Sequence, residues 1–182
     1  MLPDATPESS VAAVNPFTAA DVVGVLRERG WLTAEPSAEQ SAWCERAAAL
    51  LGPHASDRAA LESFLALVFH YDARAILGQV ESHAVLARYG ARDVVRHVAL
   101  LILEDGPLDS DRFKDIVTAL KERLEVRGRE LFHPIRLALA GRAGEGDLDR
   151  VILLLDPAAP LPFAVRVKGA RERILEFCAA LG

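Results

Sequence analysis

The stretch RGRELFHPIRLALAGRAGEGDL, residues Arg127–Leu148, combines charged residues, helix breakers and apolar residues in a way that a generic helical core does not require. Pro134 has no backbone N–H to donate, so we expect it in the first turn of a helix, where that donor would be unpaired anyway. The helix should end at Gly141, because glycine closes a helix in the left-handed conformation at the least cost. Asp147 is then suited to cap a further helix, residues 148–155.

Arg136 lies among apolar residues of this stretch that should be buried. A guanidinium in such surroundings should be held rigidly, with its planar fork aimed at a carboxylate or a phosphate. The local sequence leaves two interpretations open. Arg136 forms an intramolecular ion pair, or it contacts a phosphate-bearing partner.

The composition of the chain is that of a folded, soluble protein. Hydrophobic residues make up 51% of the 182 residues, and the mean hydropathy is +0.17, values that exclude a disordered chain. No apolar run reaches membrane-spanning length, and the first ten residues lack the basic and apolar regions of a signal peptide. Cys44 and Cys178 lie in apolar helical patterns and fit buried thiols better than a disulfide. We therefore expect a cytoplasmic protein that does not enter a membrane.

The net charge of −5 argues against indiscriminate binding of nucleic acid, because phosphates are contacted mostly by Lys and Arg. The charges are unevenly distributed, however. Residues 121–142 hold six basic and three acidic side chains, and residues 163–174 hold four basic and one acidic, so each segment carries +3 and the remainder −11. A basic C-terminal third on an acidic body can present one electropositive face.

Hydrophobic periodicity predicts an all-α fold. The predicted helices cover residues 18–30, 37–51, 57–69, 72–90, 91–104, 111–126, 134–141, 148–155 and 168–181. Ser110 is expected to cap the 111–126 helix, and the proline-rich connection 156–162 should lengthen the path to the last helix. We predict a flexible tail over residues 1–16, a first helical subdomain over 17–106 and a second over 107–182.

The opening stretch also resembles a known family. Leu131–Gly141, LFHPIRLALAG, resembles the LF-x-P-L-R-x-A-L-T-G signature in the C-terminal anticodon-binding region of bacterial glutamyl-tRNA synthetases. Val126–Arg129 is similar to the basic K-G-K that precedes it, and Glu145–Leu148 occupies the place of the family's G-P-E-L helix start. Val68–Leu77 resembles the F-F-x-x-x-x-Y-D-x-x-A-L passage that links the two halves of the region. The resemblance covers residues 17–182 and is strongest over 109–155.

This resemblance implies two helical subdomains of the class I synthetase anticodon-binding, or α-helix cage, type, which bind the anticodon arm of a tRNA and splay its loop bases. The family's anticodon-reading arginine falls on Arg136, and its loop residues fall on Glu145, Gly146 and Leu148. To these we add three candidate phosphate contacts from the basic clusters: Arg127, Arg129 and Arg142. The tRNA partner implied is one for glutamate.

Three departures from the family pattern concern the same site. Ala140 replaces the family's threonine and loses a hydroxyl, and Gly146 replaces a proline and loses a rigid turn. Glu145 places a negative charge where RNA should approach. These departures bear on sequence-specific reading of the anticodon more than on general binding to the arm.

No catalytic, cofactor or metal site is predicted. The five histidines never pair at helical spacing, and neither cysteine has a nearby ligand partner. Class I synthetases activate amino acids with H-x-G-H and K-M-S-K motifs, whereas none of the three lysines here is followed by Met or Ser, and the only methionine is Met1. We therefore expect no aminoacylation by this chain alone.

Three interpretations remain open for the function. The chain is an anticodon-arm binding module without a catalytic domain, which a separate synthetase chain would supply. It is instead a protein–protein adaptor or accessory subunit that kept the helical scaffold and lost RNA binding. Or it is a piece of a longer synthetase, against which the initiating Met1 argues weakly.

Overall fold

A computed structural model of the chain describes residues 15–104 and 106–182. Throughout these residues the regular secondary structure is helical and β-strands are absent, so the all-α prediction is confirmed. The helices are α1 Ala19–Glu28, α2 Ala38–Leu51, α3 Arg58–Phe69, α4 Ala73–Leu77, α5 Val80–Leu86, α6 Ala91–Leu103, α7 Ser110–Leu124, α8 Arg129–Ala140, α9 Asp147–Leu153, α10 Leu155–Ala158 and α11 Ala170–Leu181, with a 3₁₀ turn at Gly52–His54.

The first three helices begin one residue after the predicted positions 18, 37 and 57, because those residues are the N-caps. At the start of α2, the Ser37 hydroxyl accepts a hydrogen bond from the Gln40 backbone N–H (3.1 Å), and the Gln40 side chain accepts one from the Ser37 N–H (2.9 Å). This reciprocal pair satisfies two donors that a helix start leaves unpaired. Asp57 caps α3 in the same way by accepting from Ala60 N–H at 2.8 Å.

The predicted helix over residues 72–90 is wrong as a single element. It consists of α4 and α5, separated at Gly78 and Gln79. The Ile76 carbonyl accepts hydrogen bonds from the Gln79 N–H (3.2 Å) and from the buried Ser82 hydroxyl (2.5 Å), which interrupts the regular ladder.

The boundaries of α7 and α8 also differ from the prediction. Asp109, not Ser110, caps α7, and the helix ends at Leu124 because Glu125 adopts the left-handed conformation (φ 53°). Helix α8 begins at Arg129, after Gly128 with φ 59°. Pro134 is therefore the sixth residue of α8, not a first-turn residue, and removes one hydrogen bond from the helix interior.

The segment after Gly141 is more ordered than predicted. Asp147 is the first residue of α9 instead of its cap, and α9 ends at Leu153. The predicted connection after residue 155 contains the short helix α10. Within it, the Asp156 carboxylate accepts from the backbone N–H groups of Leu108 (2.6 Å) and Ala170 (2.8 Å), so it joins the starts of α7 and α11.

One buried core runs through helices from both sides of the predicted subdomain boundary at 106/107. Helix α8 is central to it, since it packs against α5, α6, α9 and α11. An aromatic cluster at one end includes Trp31 stacked on Phe69, with ring centroids 4.7 Å apart.

The subdomain division stays a prediction, and residues 1–14 of the predicted tail lie outside the described residues. None of the helices in the described ranges is long and apolar enough to span a membrane.

Candidate nucleic-acid interface

Helix α8 presents one stripe of side chains to solvent. From Pro134 to Ala140 every residue is buried, as is Leu131, whereas Arg129 and Glu130 are exposed and Phe132 and His133 are partly exposed. Arg129, Phe132, His133 and Arg136 are spaced at i, i+3, i+4 and i+7, so they share one face of the helix. The motif LFHPIRLALAG therefore reaches the surface along this stripe.

Arg136 lies at the buried end of the stripe and is only 8% exposed. Its Nε donates to Asp149 Oδ1 at 2.8 Å and its Nη2 to Asp149 Oδ2 at 2.9 Å, which is a bidentate ion pair. The guanidinium also lies 4.7 Å from the centroid of the Phe132 ring. Of the two interpretations left open by the sequence, the structure contains the intramolecular ion pair. A direct contact between Arg136 and RNA stays a prediction.

The same guanidinium holds the loop between α8 and α9. Arg136 Nη1 donates to the Gly144 carbonyl at 2.9 Å, so one side chain contacts both the middle of the loop and the first turn of α9. Leu148 packs so close to Gly144 that a Cβ on residue 144 would lie 2.7 Å from Leu148 Cδ1. Leu148 is 5% exposed and offers little surface to a partner; its predicted contact with RNA stays a prediction.

The other predicted contacts lie on the surface. Arg127, Arg129, Arg142 and Glu145 are exposed, and Gly146 is partly exposed. Within the described ranges, none of the three arginines forms a salt bridge. Arg127 lines an open depression together with Lys121, Glu122 and Glu125, and Arg142 lines another beside His70 and Asp72. The exposed cations thus lie both at the start of α8 and in the loop after it, and acidic side chains lie close to Arg127 and Arg142.

The structure adds a cation that the sequence did not indicate. Arg88, which follows α5, donates from Nη1 to His133 Nδ1 at 3.1 Å across 45 residues of chain. Partial burial lowers the pKa of His133, and the neighbouring charges of Arg88, Arg129 and Arg136 lower it further, while Glu145 opposes them. The His133 imidazole is therefore neutral at neutral pH. Lys121 lies on the other side of the stripe, with Nζ 5.8 Å from the Phe132 ring centroid.

A second arginine was also missed by the sequence analysis, although it is the largest fully buried side chain. Arg173 donates to the carbonyls of Lys168, Leu67, Leu139 and Val68 at 2.9, 2.9, 3.0 and 2.6 Å. Burial lowers its pKa to about 10. The Tyr71 ring lies 4.7 Å from its guanidinium, and the Tyr71 hydroxyl donates to the Ala138 carbonyl at 2.5 Å. This network joins the 68–77 passage to α8 and α11.

No group of His, Cys, Asp and Glu side chains within the described residues is arranged to hold a metal ion. Cys44 and Cys178 are both free thiols, and burial raises the pKa of each. The chemistry available at the stripe is that of hydrogen-bond donors and positive charge, which suits recognition of an anionic partner.

Comparison with known proteins places the chain in a family. A sequence model described as an anticodon binding domain matches residues 11–159. Glutamate–tRNA ligase 2 of Syntrophus aciditrophicus is 26% identical over 123 residues, which is 64% of this chain and 23% of the ligase. Glutamate–tRNA ligase of Geobacillus thermodenitrificans is 29% identical over 151 residues, 83% of this chain and 27% of the ligase.

A shorter match is closer in sequence. Glutamate–tRNA ligase 1 of Halorhodospira halophila is 46% identical over 44 residues, 24% of this chain and 9% of the ligase. The chain spans about a quarter of the length of the longest-matching ligases. No solved structure matches the chain. The family match over most of the chain shows that it belongs to the anticodon binding domain family and is similar to the C-terminal region of glutamate–tRNA ligases.

Proposed function

We propose that the chain binds the anticodon arm of a tRNA and does not itself activate an amino acid. The observation that carries this proposal is the family match over residues 11–159, which includes the α8 stripe and the loop that follows it. The curated relatives are ligases for glutamate and tRNA, so a glutamate tRNA is the first ligand to test. A separate chain would then supply the catalytic domain.

We assign different roles to the arginines of the site. Arg127, Arg129 and Arg142 are exposed and contact phosphates of the arm, which sets affinity without selecting bases. Arg136 is a positioning residue, because its guanidinium is occupied by Asp149 and by the Gly144 carbonyl. It holds residues 141–146 in a fixed conformation, from which Glu145 and Gly146 meet the unpaired bases. This role replaces the direct base contact that the resemblance alone implies.

The ion pair between Arg136 and Asp149 also favours a second function. A guanidinium neutralised by a carboxylate attracts RNA less than a free one, and the net charge of the chain is −5. On this alternative, the chain is a protein–protein adaptor that retains the helical scaffold and no longer binds RNA.

Fluorescence titration of glutamate tRNA and of total tRNA at about 50 mM and about 200 mM salt separates these functions. We expect dissociation constants of about micromolar or weaker that rise with salt, because phosphate contacts release counterions. The triple variant Arg127→Gln, Arg129→Gln, Arg142→Gln should bind at least about tenfold more weakly, with a salt slope shallower by about 2 to 3.

The matched control is the triple variant Arg27→Gln, Arg46→Gln, Arg58→Gln on α1, α2 and α3. It changes the net charge equally and removes only exposed side chains. Equal weakening in both triple variants would assign the effect to net charge alone. No binding of either RNA by the wild-type chain would leave the adaptor function.

A further inference from the structure

Arg88, which follows α5, and His133 on α8 form a side-chain contact that spans 45 residues of the chain. Arg88 is exposed and its Nη1 donates to His133 Nδ1 at 3.1 Å, instead of pairing with a carboxylate. Among the described residues, neither Arg88 nor Arg129 forms a salt bridge. Two cations therefore lie at the surface beside one imidazole without a protein anion bound to either.

The contact fixes the chemistry of the imidazole. An arginine can only donate, so His133 Nδ1 accepts, and in the neutral ring the proton is then on Nε2. Nε2–H is a donor that the contact with Arg88 leaves available. The Arg88 guanidinium uses one of its five N–H groups in the contact, and Arg129, one helical turn before His133, brings a second guanidinium to the same face.

The charges that act on the His133 imidazole come from three places in the structure. Arg88 comes from the end of α5, Arg129 and Arg136 from α8, and Glu145 from the α8–α9 loop. Asp149 pairs with Arg136 at close range, so Arg88 and Arg129 are the two arginines near His133 that form no salt bridge among the described residues. Glu145 opposes their charge, and Glu130, three residues before His133 on α8, is a second exposed carboxylate. An arrangement of N–H donors with surplus positive charge is complementary to a phosphate, which accepts several hydrogen bonds at once.

We propose that Arg88, Arg129 and His133 together bind one backbone phosphate of the RNA, so that residues from both halves of the chain hold the same strand. This inference rests on the proposed function and extends it, since neither Arg88 nor His133 belongs to the residues that the motif assigns. The ligand is a phosphodiester of the nucleic acid; free inorganic phosphate has the same chemistry with fewer additional contacts and should bind far more weakly.

Phosphate at this site changes the protonation of His133. The anion offsets the positive charges that lower the pKa of the imidazole, so the pKa rises on binding and the complex takes up a proton. RNA affinity should therefore increase as the pH falls through the pKa of His133 in the complex. This coupling is a readout that a purely structural role for Arg88 would not produce.

The test uses an RNA hairpin with the anticodon-arm sequence of a glutamate tRNA and the full chain. Arg88→Gln should weaken binding about tenfold and make the salt slope shallower by about 1. The matched control is Arg46→Gln on α2, which should change neither. Histidine resonances followed by NMR should show the pKa of His133 rising on addition of the hairpin in the wild-type chain, and rising less in Arg88→Gln. Inorganic phosphate alone should reproduce the direction of the shift only at high concentration.

The outcomes separate this site from the proposed function. Hairpin binding that Arg88→Gln and Arg46→Gln weaken equally, or that neither variant changes, overturns the phosphate site but not the proposed binding of RNA by the wild-type chain. A His133 pKa that stays constant on hairpin addition overturns it as well. A wild-type chain that binds no hairpin at all removes the proposed function and this site with it.

Discussion

Two buried arginines, Arg136 and Arg173, have their N–H donors satisfied in different ways. Arg136 faces a carboxylate near the surface, and Arg173 faces only backbone carbonyls and the Tyr71 ring in the core. Both sites take a guanidinium out of water, which costs free energy unless its N–H donors are hydrogen-bonded. The difference shows that burial alone does not define the role of an arginine. The kind of group that accepts its hydrogen bonds does.

Three of the four carbonyls that accept from Arg173 are ones that helix ends leave unpaired; the fourth, of Lys168, precedes α11. Leu67 and Val68 lie in the last turn of α3, and Leu139 lies in the last turn of α8, where C-terminal carbonyls carry the negative end of the helix dipole. Arg173 thus caps the C-terminal ends of both α3 and α8 and is part of the core. Arg136 instead connects a loop to a helix start, and its charge still acts on His133 at the surface.

The largest effect should come from Arg173→Met. The substitution leaves four carbonyl acceptors without a donor in the core, and we expect a loss of about 3–5 kcal/mol in the free energy of unfolding. Urea unfolding followed by circular dichroism measures it. The control is Arg171→Met, an exposed position on the same helix, which should cost within about 0.5 kcal/mol. A loss for Arg173→Met as small as the control would mean that solvent reaches those carbonyls.

Asp149→Ala should have the next largest effect. It leaves the Arg136 guanidinium 8% exposed without its carboxylate, at a cost of about 2–3 kcal/mol in unfolding free energy. In the double variant with Arg136→Met the charge is gone, so the combined loss should be smaller than the sum of the single losses by about 1–2 kcal/mol. A double-variant cycle in urea measures this coupling. Additive losses would show that the ion pair contributes no net interaction.

The sequence predicts helices that have strong local signals better than it predicts the hydrogen-bond partners of Arg136 and Arg173. Caps at Ser37 and Asp57 and the left-handed Gly141 act within a few residues, so α2, α3 and the end of α8 were expected correctly. The break between α4 and α5 depends on a hydroxyl that bonds six residues back, which periodicity does not register.

The site could be located from the sequence but not resolved. The motif directs attention to α8 and its loop, yet Glu145, Asp147 and Asp149 were equally available as partners for Arg136, and only the turn into α9 selects Asp149. Arg173 follows Arg171 and Glu172 in a charged run that is typical of a solvated helix face, and its acceptors are up to 106 residues away. The contact between Arg88 and His133 spans 45 residues and has no local signature.

Arg136→Ala should weaken binding of tRNA by about 1–3 kcal/mol. Asp149→Ala, measured in the same titration, decides between two roles for Arg136. If Arg136 positions the loop, as we propose, removing Asp149 releases part of that hold and weakens binding as well. If the guanidinium itself contacts a base, removing its competing carboxylate should leave binding unchanged or strengthen it. Each variant's unfolding free energy is measured alongside, so that loss of fold is not mistaken for loss of contact.

The smallest expected effect is a change in the pKa of His133. It measures whether the charge of Arg136 acts at the surface, in contrast to the charge of Arg173, which is enclosed in the core. Burial lowers this pKa first, and Arg88, Arg129 and Arg136 lower it further. Arg136→Met should therefore raise the pKa of His133 slightly, still below its ordinary value, as followed by NMR of the histidine ring. Because the unfolded chain takes up this proton at about pH 6.5, before the folded chain does, His133 reduces stability as the pH falls through that range. Arg136→Met should lessen that acid sensitivity, whereas the control Arg46→Gln should leave the pKa of His133 and its pH dependence unchanged. A shift of equal size in the control would assign the effect to net charge alone, and no shift in Arg136→Met would mean that Asp149 fully compensates the charge of Arg136.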